Sequence, residues 1–414
     1  MILVAFFLLL LFAFSLVSAR LERSVVTPPI LFTVGGMLAY LVMPDLPTRS
    51  TGLVVFLRVA EAGLVFLLFT EASRTDLRLL NHIRALPVRL LSTGMLLTIL
   101  LGGVVALGVF PGMSIWEAGI IAAILAPTDA GLGQVIVTSP KVPRPVREAL
   151  NVEAGLNDGL SVPFLLFFAA LAGPAEHAQE ADLMKLIVEQ LGYGAVLGAA
   201  IGLGGGWLLG LARRKGTMAE PLVQLGVVAL PLMCGVASEA AAASMFIAAF
   251  VAGLCLQVSF REAGKHSVAF AENWGQMINL SVFFLLGMIV VRNWGRLTLA
   301  HLAYAVLSLT LVRMLPVAIA LIGTRLSKPS VLFMGWFGPR GLASIVLGGV
   351  YLEHVQPATE RPTVMPVVMV TVLLSIFAHG LSAQPGINLY ARSLAKLRPD
   401  APENQDNEPE TAGA

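Results

Sequence analysis

Two carboxylates and a carboxamide stand within six residues at Glu153, Asn157 and Asp158. On a helix, Glu153 and Asn157 stack on one face because they are four apart. Asp158 lies about 100° further round. The stretch that holds them, 147–172, is otherwise apolar. Hard oxygen donors in such a setting can hold a proton or a metal cation. A charge in the middle of a bilayer costs at least about 2.5–3.5 kcal/mol on the insertion scale. Such groups are kept where they pair, line water or work. For Glu153 a structural pairing with an arginine is the expectation, whereas Asp158 is expected to take part in the chemistry.

Two further apolar stretches carry a break and a charge together. Residues 115–137 contain Pro127-Thr128-Asp129, followed by Gly131 and Gly133. Proline removes a backbone donor and disrupts a turn. The freed carbonyl and amide groups are tolerated only beside protein or a cavity, where they can bind an ion. Asp129 has two open readings: an oxygen beside an ion, or the cap of a half-helix. Residues 329–352 contain Phe337-Gly338-Pro339-Arg340-Gly341, a second break carrying a cation. Arg313 sits mid-stretch in 299–322, too far from either end to snorkel, so it needs a carboxylate; Glu153 is the candidate. Weaker candidates are Thr70, Glu71 and Ser161. Arg58 and Glu61, three apart, read as a local pair.

Other chemistries find little support. No His/Cys cluster has metal-ligand spacing, and no glycine-rich loop is placed to cradle phosphate. Cys234 and Cys255 lie in apolar runs and read as packing residues. An intramembrane hydrolase would need a nucleophile with a base at catalytic geometry; neither Ser344 nor His379 has a partner at motif level. No cofactor and no nucleic-acid partner are expected, and the lipid bilayer is.

The elements that must position these residues are membrane helices. The chain has 414 residues, 57% hydrophobic and 13% charged, against about 25% charged in a soluble domain. Apolar runs of the roughly 20 residues a span requires recur along its whole length. Thirteen spans are expected, near 2–19, 25–43, 52–72, 87–109, 115–137, 147–172, 184–211, 220–237, 241–257, 275–291, 299–322, 329–352 and 363–382. Most Lys and Arg fall in alternate loops, among them Arg20, Arg74, Arg89, Lys141, Arg144, Arg213, Lys215, Arg325, Lys328 and Arg392. Basic loops are cytoplasmic, which puts the C-terminus inside and the N-terminus outside. Val17-Ser18-Ala19 is similar to a signal-peptidase site, but no basic residue precedes the apolar run. The first helix is therefore expected to be retained. The two broken spans are seven apart in the count, an odd offset that predicts two inverted six-helix repeats around a connector, a transporter signature. Residues 1–390 form one transmembrane domain in this reading. Residues 391–414 form a short cytoplasmic tail, acidic and disordered.

Together these segments resemble the monovalent cation/proton antiporter superfamily, specifically its sodium/proton exchanger branch. Pro127-Thr128-Asp129 is similar to the Thr-Asp of the family's unwound fifth helix. Glu153-Ala154-Gly155-Leu156-Asn157-Asp158 resembles its ion-site motif. Asn279 to Gly287 resembles a segment of the tenth helix, and Gly338 to Ala343 its Gly-x-Arg-Gly element. The resemblance implies that Asp158 binds proton or cation in turn. Thr128 and Asp129 would supply oxygen nearby, so Asp158 and Thr128 would touch the transported metal ion. Asn157 would stand where the electrogenic branch has a second Asp, implying one proton per ion. Glu153 would pair with Arg313, and Arg340 would set the field where the broken spans cross. A homodimer in the cell inner membrane, exchanging sodium for protons without a cofactor, is the implied whole. Potassium exchange, or transport of an organic anion on the same fold, are the alternatives. Ala154 replaces a frequent Ser, and Thr70-Glu71 replaces a Glu-Gly pair; both changes bear on ion preference more than on fold.

Overall fold

The computed structural model describes residues 2–21, 24–42, 50–74, 85–172, 180–260, 264–354, 363–397 and 401–404. Among them the chain is entirely helical apart from turns and connections. In chain order the helices are α1 (Ile2–Leu21), α2 (Pro28–Val42), α3 (Ser50–Arg74) and α4 (Leu86–Val109). Next come α5 (Ile115–Ile124), α6 (Ala130–Val137), α7 (Arg144–Ala172), α8 (Glu180–Arg214), α9 (Glu220–Ala240) and α10 (Met245–Ser259). The rest are α11 (Gly264–Arg292), α12 (Leu299–Ala320), α13 (Lys328–Trp336), α14 (Leu342–His354) and α15 (Val364–Leu394). Eight helices among the described residues are long and apolar enough to cross a membrane. The thirteen crossings of the sequence reading join α5 to α6 and α13 to α14; length and composition alone do not fix that count.

The exteriors of these helices are as apolar as their contacts. Leu8, Leu9, Phe12 and Leu16 of α1 are exposed, as are Leu100 and Val104 of α4 and Trp207 and Leu208 of α8. In water such surface would be unstable, while against lipid tails it costs nothing. Specificity must then come from buried polar groups and close packing rather than from hydrophobicity. Two half-helices are thoroughly buried: every residue of α5 from Ala118 to Ile124 is covered, as is every residue of α14 from Leu342 to Gly349. α5 starts at a capping box in which Ser114 and Glu117 exchange hydrogen bonds at 3.1 and 3.0 Å. It packs on α7 and α4, and α3, α14 and α15 enclose the rest of the centre.

Both interruptions expected from the sequence are present. The helix ending at Ile124 resumes at Ala130, and the one ending at Trp336 resumes at Leu342. The backbone of α12 also leaves the helical region at Thr310, three residues before Arg313.

The C-terminal segment corrects one expectation. The last helix continues to Leu394, and Pro402–Asn404 form a 3-10 turn in the stretch read as disordered; residues 398–400 and 405–414 lie outside the described residues. A single buried contact explains the order. The Glu403 carboxylate is 1% exposed and accepts hydrogen bonds from the Ser327 amide at 2.8 Å and the Ser330 hydroxyl at 2.6 Å. It thereby caps the N-terminus of α13, where a negative charge is favoured. Burial pushes the Glu403 pKa up, but donation from Ser330 and Ser327 outweighs it and holds the group below the ordinary glutamate value. A depressed folded pKa stabilises the docked tail above the unfolded value, and that contribution is lost as pH falls through the folded one. Glu403→Ala is expected to weaken docking by about 1–3 kcal/mol. Glu403→Gln should remove the acid-dependent release. Amide exchange of residues 401–404 followed against pH checks both.

Candidate functional site

The two breaks cross, and each supplies the groups that the other lacks. Asp129 sits at the start of α6, where four backbone amides have no helical partner. Its Oδ1 accepts from the Leu132 amide at 2.8 Å. Its Oδ2 accepts from the Leu342 amide at 2.7 Å, at the start of α14. One carboxylate thus caps two half-helices. The Asp129 amide in turn donates to the Pro339 carbonyl at 2.8 Å. Of the two readings for Asp129, these bonds describe the cap.

The cation of the second break returns the exchange. Arg340 is fully buried. Its Nη1 donates to the carbonyls of Ala126 and, at 2.8 Å, Pro127. These are carbonyls released just past the C-terminal end of α5, where a helix dipole is negative and a guanidinium is favoured. The Ser344 hydroxyl donates to the Ile124 carbonyl at the same end, at 2.8 Å. The two glycines flanking Pro339-Arg340 make this possible. A Cβ on Gly341 would stand 2.0 Å from Asp129 Oδ2, and one on Gly338 would stand 2.2 Å from Arg313 Nε. Each glycine admits one charged side chain to the backbone.

Arg313 meets Glu153 in a bidentate pair: Nη1 faces Oε1, and Nη2 donates to Oε2 at 2.8 Å. Both side chains are buried. The bond joins α12 to α7 beside the second break, and Arg313 Nη2 also reaches toward the Met334 carbonyl of α13.

Asp158 and Asn157 occupy the next turn of α7. The Asn157 amide donates from Nδ2 to Thr128 Oγ1 at 2.8 Å, which ties α7 to the first break. Asp158 is 2% exposed, and its Oδ1 has no hydrogen-bond partner among the described residues; the same holds for Asn157 Oδ1. Asp158 lies within electrostatic reach of Asp129 and Arg340. A small cleft lies along the first break, lined by Thr128, Asp129, Ala154 and Pro339, and by Leu150 and the exposed Asn151 toward the start of α7.

The weaker candidates spend their hydrogens locally. Thr70 donates to the Phe66 and Leu67 carbonyls at 2.9 and 3.0 Å, and Ser161 to the Asp158 carbonyl at 2.8 Å. Glu71 follows Thr70 on α3, and the Ala72 carbonyl beside it accepts from Gln257. Arg58 and Glu61 pair at 3.0 Å. Sequence reasoning missed Ser375 and weighed Ser344 and His379 only as parts of a hydrolase; all three bind the backbone of the breaks. The signal available was the i, i+4 spacing of Ser375 and His379 in an apolar helix.

What these elements define is a multi-pass helical membrane protein built round two crossed, interrupted helices and a buried carboxylate. The family model described as sodium/hydrogen exchanger, transmembrane, matches residues 2–388, and the chain belongs to that family. A probable Na(+)/H(+) antiporter of Schizosaccharomyces pombe is 26% identical over 343 residues, 73% of this chain and 44% of that protein. The K(+)/H(+) antiporter NhaP of Alkalimonas amylolytica is 25% identical over 389 residues, 91% of this chain and 64% of that one. The chain therefore spans less than two thirds of either curated relative. The structure of the sodium proton antiporter MjNhaP1 from Methanocaldococcus jannaschii at pH 8 shares the fold, with a TM-score of 0.75 at 19% identity, over 95% of this chain and 99% of that one.

Proposed function

We propose that this protein exchanges a monovalent cation, sodium first, for protons across the cell inner membrane, and that Asp158 carries either one in turn. The observation that carries this reading is a buried carboxylate with an oxygen that has no partner among the described residues, beside the Thr128–Asn157 pair. An ionised carboxylate in such a place is costly unless something neutralises it. A proton or a cation does so equally well, and an empty site does not. Loaded forms then cross readily while the empty form does not, which couples the two fluxes.

Stoichiometry follows from counting carboxylates. Asp129 has both oxygens engaged by amides, and Glu153 is neutralised by Arg313. Of the three carboxylates at the crossing Asp158 is left to exchange, which supports one proton per monovalent ion with no net charge moved. Thr128 Oγ1 and Asn157 Oδ1 are the further oxygens for the ion. The two inverted repeats rock about this centre in alternating access, with both the N-terminus outside and the C-terminus inside, and the working unit is a homodimer. The cleft residues Leu150 and Asn151 lie near Arg144 and Arg147, so this arrangement faces the basic, cytoplasmic side.

A potassium/proton reading has support of its own, because several relatives bear that name. Purified protein in proteoliposomes with an internal pH dye separates the two. Sodium, lithium and potassium are each added to acid-loaded vesicles. Dequenching by sodium that is unchanged when the membrane potential is clamped is the expected result. No dequenching by any alkali ion would refute the exchange reading, and dequenching by potassium alone would reassign its cation.

A further inference from the structure

His379 lies in α15, is 2% exposed and belongs to none of the groups assigned above. Its Nε2 stands 2.9 Å from the carbonyl of Trp336, the last residue of α13. A carbonyl can only accept, so a hydrogen on Nε2 completes this contact. On its other side Nδ1 lies 3.0 Å from the Ser375 hydroxyl and 3.1 Å from the Ser375 carbonyl; with the neutral ring protonated at Nε2, the hydroxyl donates to Nδ1. Ser375 Oγ itself accepts the Arg340 amide at 2.7 Å. The chain of contacts runs from Trp336 through His379 and Ser375 to Arg340. The two backbone groups it serves are the ones the second break releases: the terminal carbonyl of α13 and an amide in the unwound turn.

More of α15 grips the same half-helix. The Trp336 indole donates to Ser382 Oγ at 2.9 Å. Tyr390 meets Ser330 at 2.7 Å, and its ring stacks on Phe333 with centroids 4.2 Å apart. α13 is thus held to α15 at both ends. From His379 the contacts continue through Ser375 to Arg340, whose guanidinium holds the first break, and whose neighbours Pro339 and Leu342 bind Asp129.

We propose that His379 is a positioning residue for the cation site. It splints the second break to α15 and so fixes the register in which Arg340 and Asp129 cap the half-helices beside Asp158. This rests on the exchange reading above. A histidine that merely packs would lower stability when removed; one that positions must alter how the ion is held.

The test compares wild type with His379→Ala, His379→Gln, Ser375→Ala and the Ala double variant, all as full chains. Glutamine retains a donor that can reach the Trp336 carbonyl. Apparent KM for sodium should rise about fivefold or more in His379→Ala, the size of one lost buried hydrogen bond, and stay within about twofold of wild type in His379→Gln. Amide exchange at residues 337–342 should speed up in both Ala single variants. The double variant should add little to either, because the two side chains act in series. Unchanged KM in His379→Ala overturns the proposal, whatever happens to thermal stability or amide protection. A wild type without cation-driven proton flux overturns the exchange reading and this proposal together; a wild type with flux and an unaltered His379→Ala overturns this one alone.

Discussion

Asp158→Asn is expected to give a folded, inserted protein that exchanges no cation for protons. The substitution keeps shape and volume and removes only the ability to ionise. The proposed cycle needs a negative charge that a cation can neutralise and a proton can replace. Asparagine is permanently neutral, so neither event occurs at position 158. The fall in rate should exceed about 100-fold, the scale on which loss of a proton-transferring group is felt. Stability should not fall with it. Asp158 Oδ1 makes no hydrogen bond among the described residues, so the change orphans no partner of that oxygen. Removing a buried charge can even raise the melting temperature. The paired measurement is thermal unfolding in detergent and dye dequenching in vesicles on the same preparation. Flux retained by a well-folded Asp158→Asn protein would leave the carboxylate without its assigned role.

What the sequence made legible, and what it did not, divides by the range of the interaction. Arg313 in mid-helix demands an anion because an unpaired guanidinium there is prohibitive, and Glu153 was available at an equally awkward depth. That argument needs no tertiary information, and it reaches across 160 residues. The breaks were legible for the same reason: Pro127 and Pro339 disturb their helices wherever these sit. The exchange of caps between them was not. Local spacing allows Asp129 to cap α6, yet only the crossing brings the Leu342 amide to its second oxygen. Likewise nothing in Gly338 or Gly341 says which side chain will occupy the space each leaves. Ser375 was overlooked and His379 weighed only as part of a hydrolase, because the backbone groups they meet lie across the fold, in the second break. The tail was misread through composition. An acidic, proline-bearing segment lacks the apolar surface to order itself, but one buried glutamate at a helix N-terminus supplies what composition cannot reveal.

The Glu153–Arg313 pair yields the second large effect, and it falls on stability. Arg313→Met leaves Glu153 buried without its counter-charge, which should cost about 3–5 kcal/mol. Glu153→Leu strands the arginine and should cost about as much. The double replacement removes both charges and both desolvation costs, so it should recover most of the loss and lie far from the sum of the singles. Thermal unfolding of the four proteins in one detergent gives the coupling; additive losses would mean that the pair does not act as a unit. Transport by the double variant then separates two uses of the same arginine. Arg313 lies within electrostatic reach of Arg340, and its guanidinium packs against Gly338 in the second break. If the pair only holds α12 to α7, a refolded apolar substitute should exchange cations at a rate within about tenfold of wild type, the order seen when packing replaces a buried pair without touching the chemistry. If the double variant is stable but silent, the charge at position 313 is needed for the field around Asp158, and Glu153 is there to hold that charge in place.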